Sequence, residues 1–304
     1  MRFATFVVGL FVLVLTNAEA SACDRAPSPF EKPSVGVAVA DVVVTGEVTL
    51  VHDGVATVKI ATAIKGAGKG TSAGDDVQVR GATLASAMDR CGGVPIEVGK
   101  RYVFLLWAPV GQLGAYHVID AHGGVADATA ANEQQFRDAL AKQHPHSPWQ
   151  AKGDAATMLV LDPSPANSDD VDVVVVLRNI GTKPKPYRFA AWPRQTQTKC
   201  VLSVVNTATN KRVVAKPVPI AQKDISAYFS KHDRKWESKI AVGDAQLLRL
   251  QRITTAKQGW GYKEELGFVY YPVETPGAHA VTAECANVFG VGTRAVTAAV
   301  TLTL

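Results

Sequence analysis

Residues 40–59 read ADVVVTGEVTLVHDGVATVK, and this stretch decides the fold of the first half. The residues from Ala38 to Leu50 are dominated by valine and threonine, the β-branched types that suit a pleated surface. Val48 and Leu50, then Val55, Thr57 and Lys59, recur with period two, so two strands are expected. Between them His52-Asp53-Gly54 forms a turn, because Asp-Gly supplies the positive φ angles that a tight hairpin needs. Further strands are expected at 76–80, 101–107 and 116–120, with turns at 65–74, 92–99 and 109–114. The expectation is a five- or six-stranded antiparallel unit with short connections. Helical spacing comes after it, at 131–143, where Phe136 and Leu140 lie four apart, Ala139 shares their face, and Asn132 or Asp127 is the expected cap. His144-Pro145-His146-Ser147-Pro148 ends that helix and opens a linker, 146–157.

Residues 158–304 read as all β, with strands expected at 158–162, 171–179, 187–192, 200–206, 211–218, 246–253, 267–271, 278–286 and 294–302. Val171 to Leu177 is apolar at nearly every position, the pattern of a strand buried on both faces. A Pro276-Gly277 turn leads into alternating His279, Val281, Ala283 and Cys285. This arrangement resembles a late strand of an immunoglobulin-like sandwich, with Cys200 and Cys285 as an inter-sheet bridge.

The N-terminus carries Arg2, an apolar run from Phe6 to Leu15, and small residues at Ala18, Ala20 and Ala22. This is the order of a signal peptide, here 1–22, and the run is shorter than the roughly 20 residues a membrane-spanning helix needs. Cleavage after Ala20 leaves Ser21 first, and cleavage after Ala22 leaves Cys23 first. Lipoprotein processing at Cys23 is a third route. A secreted or periplasmic protein is expected, with no membrane association unless Cys23 is lipidated.

Composition fits export. The chain has 304 residues, 47% of them hydrophobic, enough for two domains with real cores. Its four cysteines, Cys23, Cys91, Cys200 and Cys285, form no C-x-x-C pair, so disulfides are favoured over a metal site of the protein's own. Two lie in each half, which favours Cys23 with Cys91 and Cys200 with Cys285 among the three possible connectivities. Residues 1–150 carry 12 basic and 14 acidic side chains, and 151–304 carry 20 and 13, so the second half is basic by +7. Those charges are scattered, so a solvated face is expected and no nucleic-acid partner.

Motif order narrows the first half further. After Cys23 come Ala40-Asp41-Val42-Val43-Val44-Thr45-Gly46-Glu47-Val48, then Val58-Lys59-Ile60 and Ile64-Lys65-Gly66. Cys91-Gly92 and Val98-Gly99-Lys100-Arg101-Tyr102-Val103-Phe104-Leu105 follow. In order and spacing, residues 23–145 resemble the inhibitory N-terminal domain of the tissue inhibitors of metalloproteinases, a netrin-like module on an oligonucleotide/oligosaccharide-binding (OB) type of barrel with a C-terminal helix. The resemblance implies that the free amine and carbonyl of Cys23 chelate the catalytic zinc of a metalloprotease, using the coordination position such a zinc keeps open. It also implies that a disulfide to Cys91 holds that terminus. Asp24, Arg25, Ala26 and Pro27, with Met88, Asp89 and Arg90, would form the contact ridge. Two positions depart from the family. Asp24 stands where serine or threonine is usual, an anion for a mostly apolar pocket; Arg25 stands where the family has another cysteine.

The expected function is therefore a secreted inhibitor of a zinc metalloprotease, not an enzyme, with no cofactor. The alternative is a non-inhibitory exported netrin-like binding or structural protein. Other motifs carry less. Gly66-Ala67-Gly68-Lys69-Gly70-Thr71 lacks the first glycine of a phosphate loop, since Ala63 stands there, and no helix follows. His117, Asp120 and His122 fall on opposite faces of one strand and read as surface residues. Trp236, Trp260 and Tyr262 read as core or rim rather than a glycan site.

Overall fold

The computed structural model describes residues 33–68, 70–81, 83–84, 95–110, 114–119, 124–142, 144–163, 170–188, 199–217, 237–240, 242–254, 269–290 and 292–304. The chain is mainly β. The first half runs α1 (Pro33–Val39), β1 (Val42–His52), β2 (Val55–Lys65), β3 (Asp76–Arg80), β4 (Thr83–Leu84), β5 (Pro95–Ile96), β6 (Arg101–Trp107), β7 (Tyr116–Val118), β8 (Val125–Asp127) and α2 (Ala130–Lys142).

The hairpin expected around Asp53-Gly54 is present. Asp53 and Gly54 have φ of 48° and 71°, and His52 pairs with Val55 across the turn. Two positive φ values match the right-handed twist of the flanking strands. β1 then pairs with β6 along its other edge, and the ring closes in the order β1-β2-β3-β7-β6. The result is a closed five-stranded barrel. An all-antiparallel unit was expected, but β3 and β7 run parallel. The reason is arithmetic, because strands cannot alternate direction all the way around a ring with an odd number of members.

Val42, Val44, Val48, Val58, Ile60, Val77, Val79, Phe104, Leu106 and Val118 fill the barrel interior. Gly46 has no substitute there. A Cβ at this position would lie 2.5 Å from Val58 Cγ1 and 2.8 Å from the Lys59 carbonyl, beside a register shift in the β1–β2 ladder.

Two local expectations need correction. Strand was expected from Ala38, but Pro33–Val39 is helical and β1 begins at Val42. Valine is a poor helix former, so α1 rests on tertiary contacts, with Val35, Val37, Ala38 and Val39 all buried. In α2, Phe136 is buried and Ala139 and Leu140 pack beside it, but the cap is Thr129 rather than Asn132 or Asp127. Thr129 Oγ1 accepts the Asn132 N–H at 3.2 Å, three residues into the helix, as an N-cap hydroxyl does.

The second half runs β9 (Gln150–Lys152), β10 (Ala155–Pro163), β11 (Asp170–Asn179), β12 (Lys185–Arg188), β13 (Lys199–Asn206), β14 (Lys216–Pro217), β15 (Glu237–Ile240), β16 (Ala245–Thr254), β17 (Val269–Pro272), β18 (Ala278–Ala286), β19 (Arg294–Val296) and β20 (Val300–Thr303). A six-stranded sheet has the order β14-β17-β16-β11-β10-β9, and a second sheet joins β13, β18, β19 and β20. Leu159, Leu161, Val173, Val175 and Leu177 of the first face Leu202, Val204, Val281, Ala283 and Leu302 of the second across one core.

Of residues 146–157, the expected linker, 146–152 run beside β10 and 155–157 form its first residues. His146 bridges Val160, the Ser147 N–H donates to the Leu159 carbonyl at 2.8 Å, and β9 extends the same edge. Cys200 and Cys285 are disulfide-bonded, with Cα atoms 4.0 Å apart. They sit directly opposite each other on the neighbouring strands β13 and β18, so the bridge lies within one sheet, not between two as expected.

The two halves share a core. On β10 and β11 the residues that do not face the sandwich interior, Met158, Val160, Val174 and Val176, pack with α1 and with Val43, Val103, Leu105 and Trp107 on the outer wall of the barrel. β6 is consequently buried on both faces from Tyr102 to Trp107. Each fully buried valine or leucine here contributes roughly 1.5–3 kcal/mol relative to exposure.

Candidate functional site

Cys23, Asp24, Arg25, Ala26 and Pro27 lie outside the described residues, as do Met88, Asp89, Arg90 and Cys91. What is described is the base from which both segments spring. The chain enters at Pro33, ten residues after Cys23, through α1. The segment bearing Cys91 is flanked by β4 and β5, which pair in parallel, and Ile96 at its exit is fully buried. Beyond it the Glu97 N–H donates to Tyr102 Oη at 3.1 Å.

The α1–β1 junction is pinned from four directions. Lys65 Nζ, at the end of β2, donates to the carbonyls of Val37 at 2.7 Å, Ala38 at 3.2 Å and Ala40 at 2.6 Å. These are orphan acceptors at a helix C-terminus, where a cation is also favoured by the helix dipole. Burial pulls the Lys65 pKa down and Asp41 opposes the shift. Trp107 Nε1 donates to the Val39 carbonyl at 3.3 Å, and the Ala108 N–H donates to Asp41 Oδ2 at 2.8 Å. Arg178, from β11 in the other half, donates through Nη1 to the same Asp41 oxygen at 3.3 Å. Gly66 allows the close approach, since with φ of 71° its Cβ would lie 2.4 Å from the Asp41 carbonyl. The Lys-Gly pair and the Asp41 strand, separate motifs in the sequence, are thus parts of one contact.

Arg178 holds the seam between the halves. It is 6% exposed; Nε donates to the Gly243 carbonyl at 3.1 Å, Nη2 donates to the Ala108 carbonyl, and the guanidinium sits 5.4 Å from the Trp107 ring centroid. Burial lowers its pKa, while Asp41 and Asp244 hold the charge in place. The sequence reading missed Arg178. Its only signal was a charge directly after the apolar run Val173–Leu177.

No family model, no curated protein and no solved structure matches this chain.

His117, expected at the surface, is half-buried at this seam, while Asp120 and His122 lie outside the described residues. Burial and the neighbouring cations Arg178 and Arg80 push its pKa below the usual histidine value, against a backbone hydrogen bond to Val118. His144, just ahead of the expected linker, is also largely covered, its Nδ1 lying 3.9 Å from Asp162 Oδ1. Of the phosphate-loop look-alike, Thr71 is buried and its hydroxyl donates to the Gly66 carbonyl at 2.9 Å, a turn-stabilising contact. Trp236, Trp260 and Tyr262 lie outside the described residues. Among the described residues no helix is long and apolar enough to cross a membrane.

Proposed function

We propose that this is an exported inhibitor of zinc metalloproteases that acts through a free Cys23 terminus. The observation that carries the reading is the strand order of the barrel. Numbering its ring members in chain order, strands 1-2-3-5-4 close on strand 1 with a parallel 3–5 pair, the order of an OB-type barrel, as the resemblance of residues 23–145 to the netrin-like inhibitors requires. Within it, Gly46, Lys65 and Gly66 take positions only those residues fill well. We read α2 as the family's C-terminal helix and the two facing sheets of the second half as an immunoglobulin-like sandwich.

The chemistry follows from a catalytic zinc's open position. A neutral α-amine and the adjacent carbonyl of Cys23 displace the zinc-bound water, and a Cys23–Cys91 disulfide reduces the ordering cost of presenting them. The α-amine of an unperturbed terminus has a pKa of about 7.7–8.0, so chelation strengthens as pH rises toward that range. Asp24 favours a second reading, a non-inhibitory exported binding or structural module, because its carboxylate would lose water in an apolar specificity pocket.

One comparison separates the two. The mature protein starting at Cys23, verified by intact mass, is assayed against a panel of zinc metalloproteases beside a form with one extra alanine ahead of Cys23. Inhibition by the first and its loss in the second supports chelation, because the added peptide bond removes the amine as a ligand. Equal inhibition by both forms, or none by either, overturns it.

A further inference from the structure

The seam carries a charge imbalance that chelation does not use. Arg80, the last residue of β3, is the register partner of His117 on the parallel strand β7. Val77 and Val79 point into the barrel, so Arg80 lies on the outer wall, the side on which Trp107, register partner of His117 on β6, packs under Arg178. Arg80 and Arg178 therefore flank the imidazole. Their circumstances differ. Arg178 spends its donors on Asp41, Ala108 and Gly243, whereas Arg80 Nε is buried and meets no hydrogen-bond partner among the described residues.

The described charges acting on His117 are both cationic. Asp41 and Asp244 act on Arg178, and Tyr116 beside His117 is a neutral phenol whose pKa is raised by burial and by Asp41. On two sides the ring meets bare main chain. A Cβ on Gly81 would come within 3.4 Å of Nδ1, and one on Gly243 within 3.5 Å of Cδ2, both at positive φ. A desolvated guanidinium N–H with no acceptor is expensive, and an imidazole between two arginines lacks a counter-charge. Both deficits are met by the same thing, an oxyanion.

We propose that Arg80 and His117 form a binding site for an oxyanion, the carboxylate or phosphate group of a ligand, at the seam between the barrel and the second half. Arg80 supplies the guanidinium fork, which suits the two oxygens of such a group, and protonated His117 supplies the second donor. Anion binding then raises the His117 pKa, and by linkage the anion binds more tightly as pH falls. Each unit of upshift corresponds to a tenfold gain in affinity between pH values above and below both pKa values.

The test uses the full mature chain and inorganic phosphate, with acetate as the carboxylate probe and sodium chloride at matched ionic strength as the control. The His117 imidazole is titrated by NMR. Phosphate is expected to raise its pKa saturably in the millimolar range and chloride to leave it unchanged. An acetate response identifies a site open to carboxylates, and a response to phosphate alone identifies one that needs the tetrahedral oxyanion. Arg80→Gln is expected to abolish the response while melting, without anion, at or above the temperature of the parent chain, since it removes a buried Nε–H that has no acceptor among the described residues. Arg80→Lys, which keeps the charge but not the fork, is expected to weaken binding. A phosphate effect no larger than that of chloride, a full response in R80Q, or a clear fall in the anion-free melting temperature of R80Q would overturn the assignment.

Discussion

Replacing Arg178 by alanine tests whether the two halves are one cooperative body. The substitution removes a guanidinium that is 6% exposed and leaves four groups altered. Asp41 loses one of its two described donors but keeps the Ala108 N–H at 2.8 Å, and its side chain is 26% exposed. Breaking a fully buried ion pair costs about 3–5 kcal/mol, so this half-solvated one contributes roughly 1–2. The carbonyls of Ala108 and Gly243 each lose a donor, about 1 kcal/mol apiece, and the Trp107 face loses its cation, about another 1. Allowing for non-additivity, the expected loss is about 3–5 kcal/mol. Arg178→Met keeps the apolar stem against Trp107 and is expected to lose roughly 1 kcal/mol less. The assay is urea unfolding of the mature protein followed in parallel by far-UV circular dichroism and tryptophan fluorescence. The parent chain is expected to give one coincident transition, and R178A one transition at a lower midpoint. A loss below about 1 kcal/mol, or two separated transitions in the parent chain, would refute the claim that Arg178 and the shared core bind the halves into a unit.

Lys65→Met removes the only described donor from three carbonyls at the end of α1. A loss of about 2–3 kcal/mol is expected by chemical denaturation, with faster hydrogen exchange confined to α1 and the start of β1; uniform exchange would argue that the lysine does not hold this junction. His117 sets a pH dependence whose sign is fixed. Burial, Arg178 and Arg80 hold its folded pKa below the unfolded value of about 6.5, so the unfolded chain binds more protons and stability rises with pH through that window. The contribution is complete above about pH 6.5 and is lost as pH falls through the folded pKa. In phosphate-free buffer the stability difference between the parent chain and His117→Gln should therefore shrink on acidification, and parallel curves for the two proteins would count against the shift.

Much of the fold was legible where local chemistry decides it. Asp53-Gly54 announced its turn because few other pairs accept two positive φ values, and Phe136, Ala139 and Leu140 announced the buried face of α2 by their spacing. Cys200 and Cys285 paired as expected, although periodicity could not say whether the two strands belonged to one sheet. α1 was hidden because Val35, Val37 and Val39 alternate as a strand would, and what makes them helical lies elsewhere, in the Lys65 cap and the covering β10. The site was harder still. Asp41 and Arg178 meet across 137 residues of chain, and no local pattern in either strand signals the other.

The seam also explains a feature that composition alone leaves open. A strand apolar on both faces, as Val173–Leu177 is, requires a second partner for the face its own sandwich does not cover. The barrel contributes a strand of that kind too, Arg101–Trp107, apolar from Tyr102 to Trp107 and likewise buried on both sides. Each lies in a different half, and either left uncovered would expose a contiguous apolar face of the sort soluble monomers avoid. Burying both against a common layer, with Met158, Val160, Val174 and Val176 on one side and Val103, Leu105 and Trp107 on the other, resolves the two problems together. Apolar contact alone would tolerate sliding. Arg178, bonded on one side to Gly243 of its own half and on the other to Asp41 and Ala108, limits the pair to one arrangement, because any shift would strand a buried charge. Helix α1 is thereby mounted on both halves at once, so a barrel severed after residue 145 should lose the surface that covers α1 and with it the fixed base of the proposed inhibitory terminus.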